Sequence, residues 1–108
     1  MSSTIAIVLA VLCNTAAQGA MKAANGAQDA AGTTWMIAAL AAYGLSFWLT
    51  LRVYAITPLS VASPVMAGAT FVLVTLISAI AFGESINALK LAGIACIALG
   101  IALLARSA

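Results

Sequence analysis

IAIVLAVLCNTAAQGAMKAA, running from Ile5 to Ala24, is an apolar run interrupted by Asn14, Gln18 and Lys22. A helix rises about 1.5 Å per residue, so roughly 20 residues reach across a hydrocarbon core about 30 Å thick, and this run is long enough to cross a bilayer. Asn14, Gln18 and Lys22 stand four residues apart and form one polar stripe on a helical face. Polar groups at membrane depth cost free energy unless they are partnered, so the stripe must face protein, water or a ligand.

The rest of the chain agrees with a membrane setting. Hydrophobic residues make up 66% and charged residues 6%, with a mean hydropathy of +1.23. A soluble domain carries roughly a quarter charged residues. Apolar runs at about 4–24, 34–55, 58–82 and 86–105 predict an all-α membrane protein, a four-transmembrane-helix bundle forming a single integral membrane domain over residues 1–108. Asn25-Gly26 begins the first connection, Ile56-Thr57-Pro58 makes the second and Gly83-Glu84-Ser85 the third. Connections this short make neighbouring helices antiparallel and put both termini on one side. The first run has no basic residue ahead of its apolar core and ends in Lys22, so it is expected to be retained rather than cleaved as a signal. A chain of 108 residues cannot enclose a large aqueous pathway alone, which predicts a dimer or larger assembly.

Arg52 and Arg106 fall near one membrane face, and Lys22 and Lys90 near the other. The balance leaves orientation undetermined by the positive-inside rule and accommodates either insertion both ways up as an antiparallel pair or a single weakly biased orientation. Thr57-Pro58 reads as the N-cap and first position of the third helix. Pro64, about two turns further, frees the carbonyl of Ser60 and favours a kink, serving either packing or transport. In the fourth run Ala88, Ala92, Cys96 and Gly100 recur every four residues. Such a small-residue seam permits close helix contact, either at a dimer surface through Ala92, Cys96 and Gly100 or within one subunit.

Several chemistries are disfavoured. Cys13 and Cys96 lack metal or redox spacing, there is no histidine, and the two acids, Asp29 and Glu84, fall in predicted connections at the same face. No acid pair or Ser-His-Asp set suggests an enzyme, no glycine-rich phosphate loop suggests ATP hydrolysis, and a net charge of +2 does not point to nucleic acid. No metal or other cofactor is expected. Tyr43, Ser46 and Thr50 form a second polar stripe, and Ser63, Thr70, Thr75 and Ser78 lie in the third run. Each lone hydroxyl can line a cavity or bond to a neighbouring helix at about 0.6 kcal/mol. Asn14 and Gln18 together suit a hydroxyl-rich or phosphate-bearing group, while Lys22 can hold a phosphate at headgroup level or anchor its helix.

Ala10-Val11-Leu12-Cys13-Asn14 with Met21-Lys22, Tyr43-Gly44-Leu45-Ser46-Phe47-Trp48-Leu49, Pro58-Leu59-Ser60-Val61-Ala62 and the Gly83-Glu84 turn resemble, in order and spacing, the small multidrug resistance family of the drug/metabolite transporter superfamily. The resemblance covers nearly the whole chain. It implies four helices per subunit, an antiparallel homodimer in a bacterial cytoplasmic (inner) membrane, a substrate chamber built from helices one to three, and dimer contact through helix four. The family's drug/proton exchangers carry a membrane-embedded glutamate where this chain has Asn14, and aromatic site residues where it has Ser63 and Met66. An amide neither exchanges a proton nor offers negative charge to a cationic drug.

Small flippase subunits that move undecaprenyl-linked aminoarabinose also lack that glutamate, and their first-helix glutamine and lysine are similar to Gln18 and Lys22. That likeness implies a polar lipid or lipid-linked sugar as cargo, with Asn14 and Gln18 at its head group, Lys22 near its phosphate, and Tyr43, Ser46, Ser63 and Met66 completing the site. The alternatives are an exporter of small metabolites or drugs with the same fold, and a non-transporting assembly partner in which the stripe joins helices.

Overall fold

The computed structural model describes residues 2–27 and 29–107. Four helices follow one another: α1 (Ser3–Gly26), α2 (Asp29–Ile56), α3 (Leu59–Ala81) and α4 (Ala88–Ser107). They contain 24, 28, 23 and 20 residues. At about 1.5 Å per residue each is long enough to cross the hydrocarbon core, and each is apolar enough to do so. This is an integral membrane protein of four helices.

The helix ends differ from the sequence expectation in three places, each for a local reason. The first connection is much shorter than expected. α1 runs on to Gly26, where Ala27 turns extended and donates its N–H to the carbonyl of Ala24 at 3.3 Å, and α2 already begins at Asp29. The start of α2 lies against the end of α1 at Gly32, where a Cβ would stand at van der Waals distance, 3.5 Å, from the carbonyl oxygens of Ala24 and Ala27.

At the second connection Thr57 donates its N–H to the Val53 carbonyl at 2.9 Å and so completes α2. The Pro58 carbonyl then accepts from Val61 and Ala62 at 3.1 and 2.9 Å, which makes Pro58 the N-cap of α3 rather than its first helical residue. In the third connection Gly83 adopts a φ of +65°, a left-handed conformation natural to glycine, and the Glu84 N–H returns to the Ser78 carbonyl at 3.0 Å. Asn87 caps α4 by accepting the Lys90 N–H at 2.8 Å, so that helix starts at Ala88 instead of residue 86. α3 continues through Pro64 to Ala81.

α1 packs along α2 and also meets α3, whereas among the described residues α4 touches α3 alone. Ala6, Ala10, Ala17 and Ala20 are buried on α1, small enough to let helix backbones approach closely. The core joins Ala6, Ala10 and Val11 to Leu49 and Val53 of α2 and to Ala62 and Met66 of α3. None of the described residues of α4 is buried. Its contact with α3 is made over Gly68, where a Cβ would stand 2.6 Å from Ile101 Cδ1 and 3.2 Å from Ile97 Cγ2. Ala88, Ala92 and Cys96 are exposed and Gly100 is half-buried, so most of the small-residue seam faces away from its own subunit.

The antiparallel order brings the end of α1, the α3–α4 connection and the start of α4 to one end. The other end carries Arg52, whose guanidinium lies over the Trp48 ring at 4.5 Å from its centroid.

Candidate substrate site

Residues spaced four apart advance about 400° around a helix, so a row of them drifts by roughly 40° per step. The drift divides the α1 stripe between two neighbours. Asn14 faces α2, where its Oδ1 accepts a 2.5 Å hydrogen bond from Ser46 Oγ. The same buried hydroxyl lies 3.3 Å from the Ala10 carbonyl. A hydroxyl has a single proton, and the shorter contact identifies Asn14 as its main acceptor. Gln18 and Lys22, further round, face α3 and the α3–α4 connection.

There they line a cavity of about 150 Å³ with Thr15 and Gly19 of α1, Val74, Ile77 and Ser78 of α3, and Phe82 and Glu84 of the connection. Thr15 donates its hydroxyl to the Val11 carbonyl at 2.8 Å, and Ser78 donates to the Thr75 carbonyl at 2.8 Å. Both hydroxyl oxygens keep accepting capacity, while the Gln18 amide can donate and accept. Lys22 Nζ stands 3.8 Å from Glu84 Oε2, with the side chains 60% and 43% exposed. That is longer than the roughly 2.7–2.9 Å of a direct charge-assisted hydrogen bond. An open pair of this kind contributes about 0–1 kcal/mol, so it is readily exchanged for another partner.

An apolar groove of about 420 Å³ continues along the same seam, lined by Ile7, Val8, Val11 and Leu12 of α1, Ala69, Val72 and Leu73 of α3, and Ala98 and Ile101 of α4. Val8, Leu12, Thr15, Gly19 and Lys22 are spaced by alternating fours and threes and therefore share one face of α1. Groove and cavity are thus successive parts of one α1–α3 seam about 21 Å long, lined by apolar side chains alone at one end and by a mixture of apolar, polar and charged ones at the other. On the opposite side of Glu84 a second opening, between α3 and α4, includes Thr75, Ser78 and Lys90. The Lys90 ammonium there donates to the Ser85 carbonyl at 2.8 Å.

The other candidate residues lie elsewhere. Tyr43 is exposed on α2, Ser63 is half-buried near the start of α3, and Met66 belongs to the core beside Ala62. Ser63 precedes Ser78 by 15 residues on α3, about 22 Å along the helix, so it sits toward the other end of the molecule. Sequence reasoning offered Ser78 only as one of several hydroxyls that could line a cavity or bond a neighbouring helix, and did not select Phe82 or Glu84 for the site. The signal for Glu84 was present: antiparallel helices place the Gly83-Glu84 turn at the same end as Lys22. The side chain of Asp29, the other acid, lies outside the described residues.

A probable 4-amino-4-deoxy-L-arabinose-phosphoundecaprenol flippase subunit of Proteus mirabilis is 43% identical over 72 residues, covering 65% of this chain. The match spans 61% of that relative's own length. A multidrug resistance protein of Bacillus licheniformis is 29% identical over 102 residues, 93% of this chain and 92% of the relative. The family model described as Small Multidrug Resistance protein matches residues 2–97, which contain α1, α2, α3 and the first half of α4. The chain belongs to the small multidrug resistance family.

Proposed function

We propose that this protein is a transporter that carries the head group of a polar, lipid-linked molecule across a bacterial inner membrane without a proton-exchanging carboxylate in α1. The observation that carries this reading is the α1–α3 seam, in which a cavity of mixed lining with an ammonium group, an amide and hydroxyls adjoins a groove of purely apolar side chains. Lys22 takes the phosphate, Gln18 takes head-group hydroxyls, and the apolar chain lies in the groove. The likeness to a flippase subunit for a phosphoundecaprenol-linked sugar supports the same cargo chemistry. Asn14 has its oxygen committed to Ser46, so it holds α1 and α2 in register.

The chain works in pairs in this reading. No described residue of α4 is fully buried in its own subunit, and Ala92, Cys96 and Gly100 offer a surface on which a second copy can approach closely. An antiparallel second copy would bring Ser63 and Met66 to the level of Lys22, because the two ends of the molecule are exchanged. The test is head-group transport in proteoliposomes. Gln18→Ala combined with Lys22→Ala is expected to reduce it about tenfold, equivalent to roughly 1.4 kcal/mol. Unchanged transport rejects the assignment.

Similarity over almost its full length to a multidrug resistance protein favours a second reading, export of small metabolites or drugs. Quenching of Trp35 or Trp48 fluorescence by a soluble cation, absent with lipid-linked sugars, would select it. Obligatory co-purification with a different membrane subunit, with no transport by the chain alone, would select an assembly role.

A further inference from the structure

The backbone turn that carries Glu84 is fixed without a hydrogen bond from its side chain. Glu84 is exposed, it belongs to a connection rather than a helix, and its backbone is set by the left-handed Gly83 and by the bond from its N–H to the Ser78 carbonyl. Its carboxylate nevertheless enters the wall of the cavity and stands beside Lys22. Lys90, the other nearby cation, is engaged by the Ser85 carbonyl. The cavity therefore holds one ammonium and one carboxylate among an amide and two hydroxyl oxygens, with no net formal charge.

Such a wall is poorly matched to a phosphate alone, since the carboxylate repels the anion that Lys22 attracts. It is well matched to a head group carrying both a phosphate and a protonated amine. The loose Lys22–Glu84 contact would open into two new pairs, Lys22 with phosphate and Glu84 with ammonium, and the exchange leaves neither protein charge unpartnered. We propose that Glu84 is a specificity-determining residue that binds the cationic amine of the cargo head group, so that the site selects phosphate lipids bearing a primary amine over those that are only anionic. This rests on the lipid-carrier reading above and adds to it the second charge of the cargo.

Both an aminosugar phosphate on a polyprenol and phosphatidylethanolamine have this chemistry, so the test uses each of them beside its own N-acetylated form, which keeps the phosphate and removes the positive charge. Binding to the purified full chain in detergent is measured by native mass spectrometry, with circular dichroism to verify that the variants remain helical. The wild-type protein is expected to bind at least one amine form about tenfold more tightly than its N-acetylated partner. Glu84→Gln is expected to bring that ratio below about twofold by weakening the amine form, and Lys22→Gln to weaken amine and N-acetylated forms alike. Equal ratios for the two lipids assign recognition to the shared amine and phosphate; a ratio confined to the polyprenol also supports the proposal and adds the sugar hydroxyls to it.

A wild-type protein that binds these lipids with no preference for the amine overturns the proposal and leaves the lipid-carrier reading standing. So does a preference that survives Glu84→Gln. Absence of binding to every phosphate lipid, accompanied by binding of a soluble cation, overturns both.

Discussion

Replacing Ser46 with alanine removes the hydroxyl that joins α2 to α1 at the level of Asn14. Ser46 is 3% exposed, so water does not take over the lost bond. Interhelical hydrogen bonds in membranes average about 0.6 kcal/mol and reach about 1.7. The 2.5 Å contact to Asn14, backed by a second acceptor at 3.3 Å, places this one in the upper part of that range, at about 1–1.7 kcal/mol.

Asn14→Leu should cost less, roughly 0.5 kcal/mol, because the Ser46 hydroxyl can swing to the Ala10 carbonyl that it already approaches. The double variant should resemble Ser46→Ala alone, giving a coupling of about 0.5 kcal/mol, equal to the cost of Asn14→Leu by itself. SDS titration of the protein in mixed micelles, followed by tryptophan fluorescence, reads all four corners of the cycle. Strict additivity together with a Ser46→Ala cost below about 0.3 kcal/mol would refute the reasoning and return Asn14 to the substrate alone.

Two further substitutions probe the frame around the site. Gly68→Ala places a methyl group 2.6 Å from Ile101 Cδ1; overpacking of about 1–3 kcal/mol, less the roughly 1 kcal/mol by which alanine favours helix over glycine, leaves a net loss near 1 kcal/mol. Ile101→Ala in that background should recover part of the loss in a thermal melt, whereas an unaltered melting temperature for Gly68→Ala would show that α4 does not rest on α3 there. Gly83→Ala meets no atom within 4 Å but must hold a φ of +65°. The melt should register about 1 kcal/mol of destabilisation from backbone strain alone, and Gly83→Asn should lose clearly less.

The four spans were legible because continuous apolar runs of membrane length have few other uses. Their ends were harder to read. Asn25, Gly26, Gly32 and Thr33 look like loop residues, yet outside the hydrocarbon core a helix no longer needs an apolar sequence, and α1 and α2 run on through polar residues until Ala27 turns the chain. The stripe from Asn14 to Lys22 was visible as a pattern, but its division was not, since spacing gives the face of one helix without saying which neighbour covers it. Ser46 and Asn14 were both candidates without their mutual bond being apparent. Glu84 was missed because a charged residue in a short connection ordinarily signals only solvent. What made it part of the cavity is the backward turn at Gly83, a tertiary fact that periodicity does not carry.

α4 buries none of its described residues and leans on α3 through a few isoleucines over one glycine. During synthesis it leaves the ribosome after α1, α2 and α3, which can by then have enclosed this core. The outward positions of α4 are therefore released from constraints set by the subunit's own interior. Natural variation at Ala92, Cys96 and Gly100 should record the shape of whatever neighbour the helix meets, and a change accepted there would register in the choice of partner before it registers in the folding of the chain.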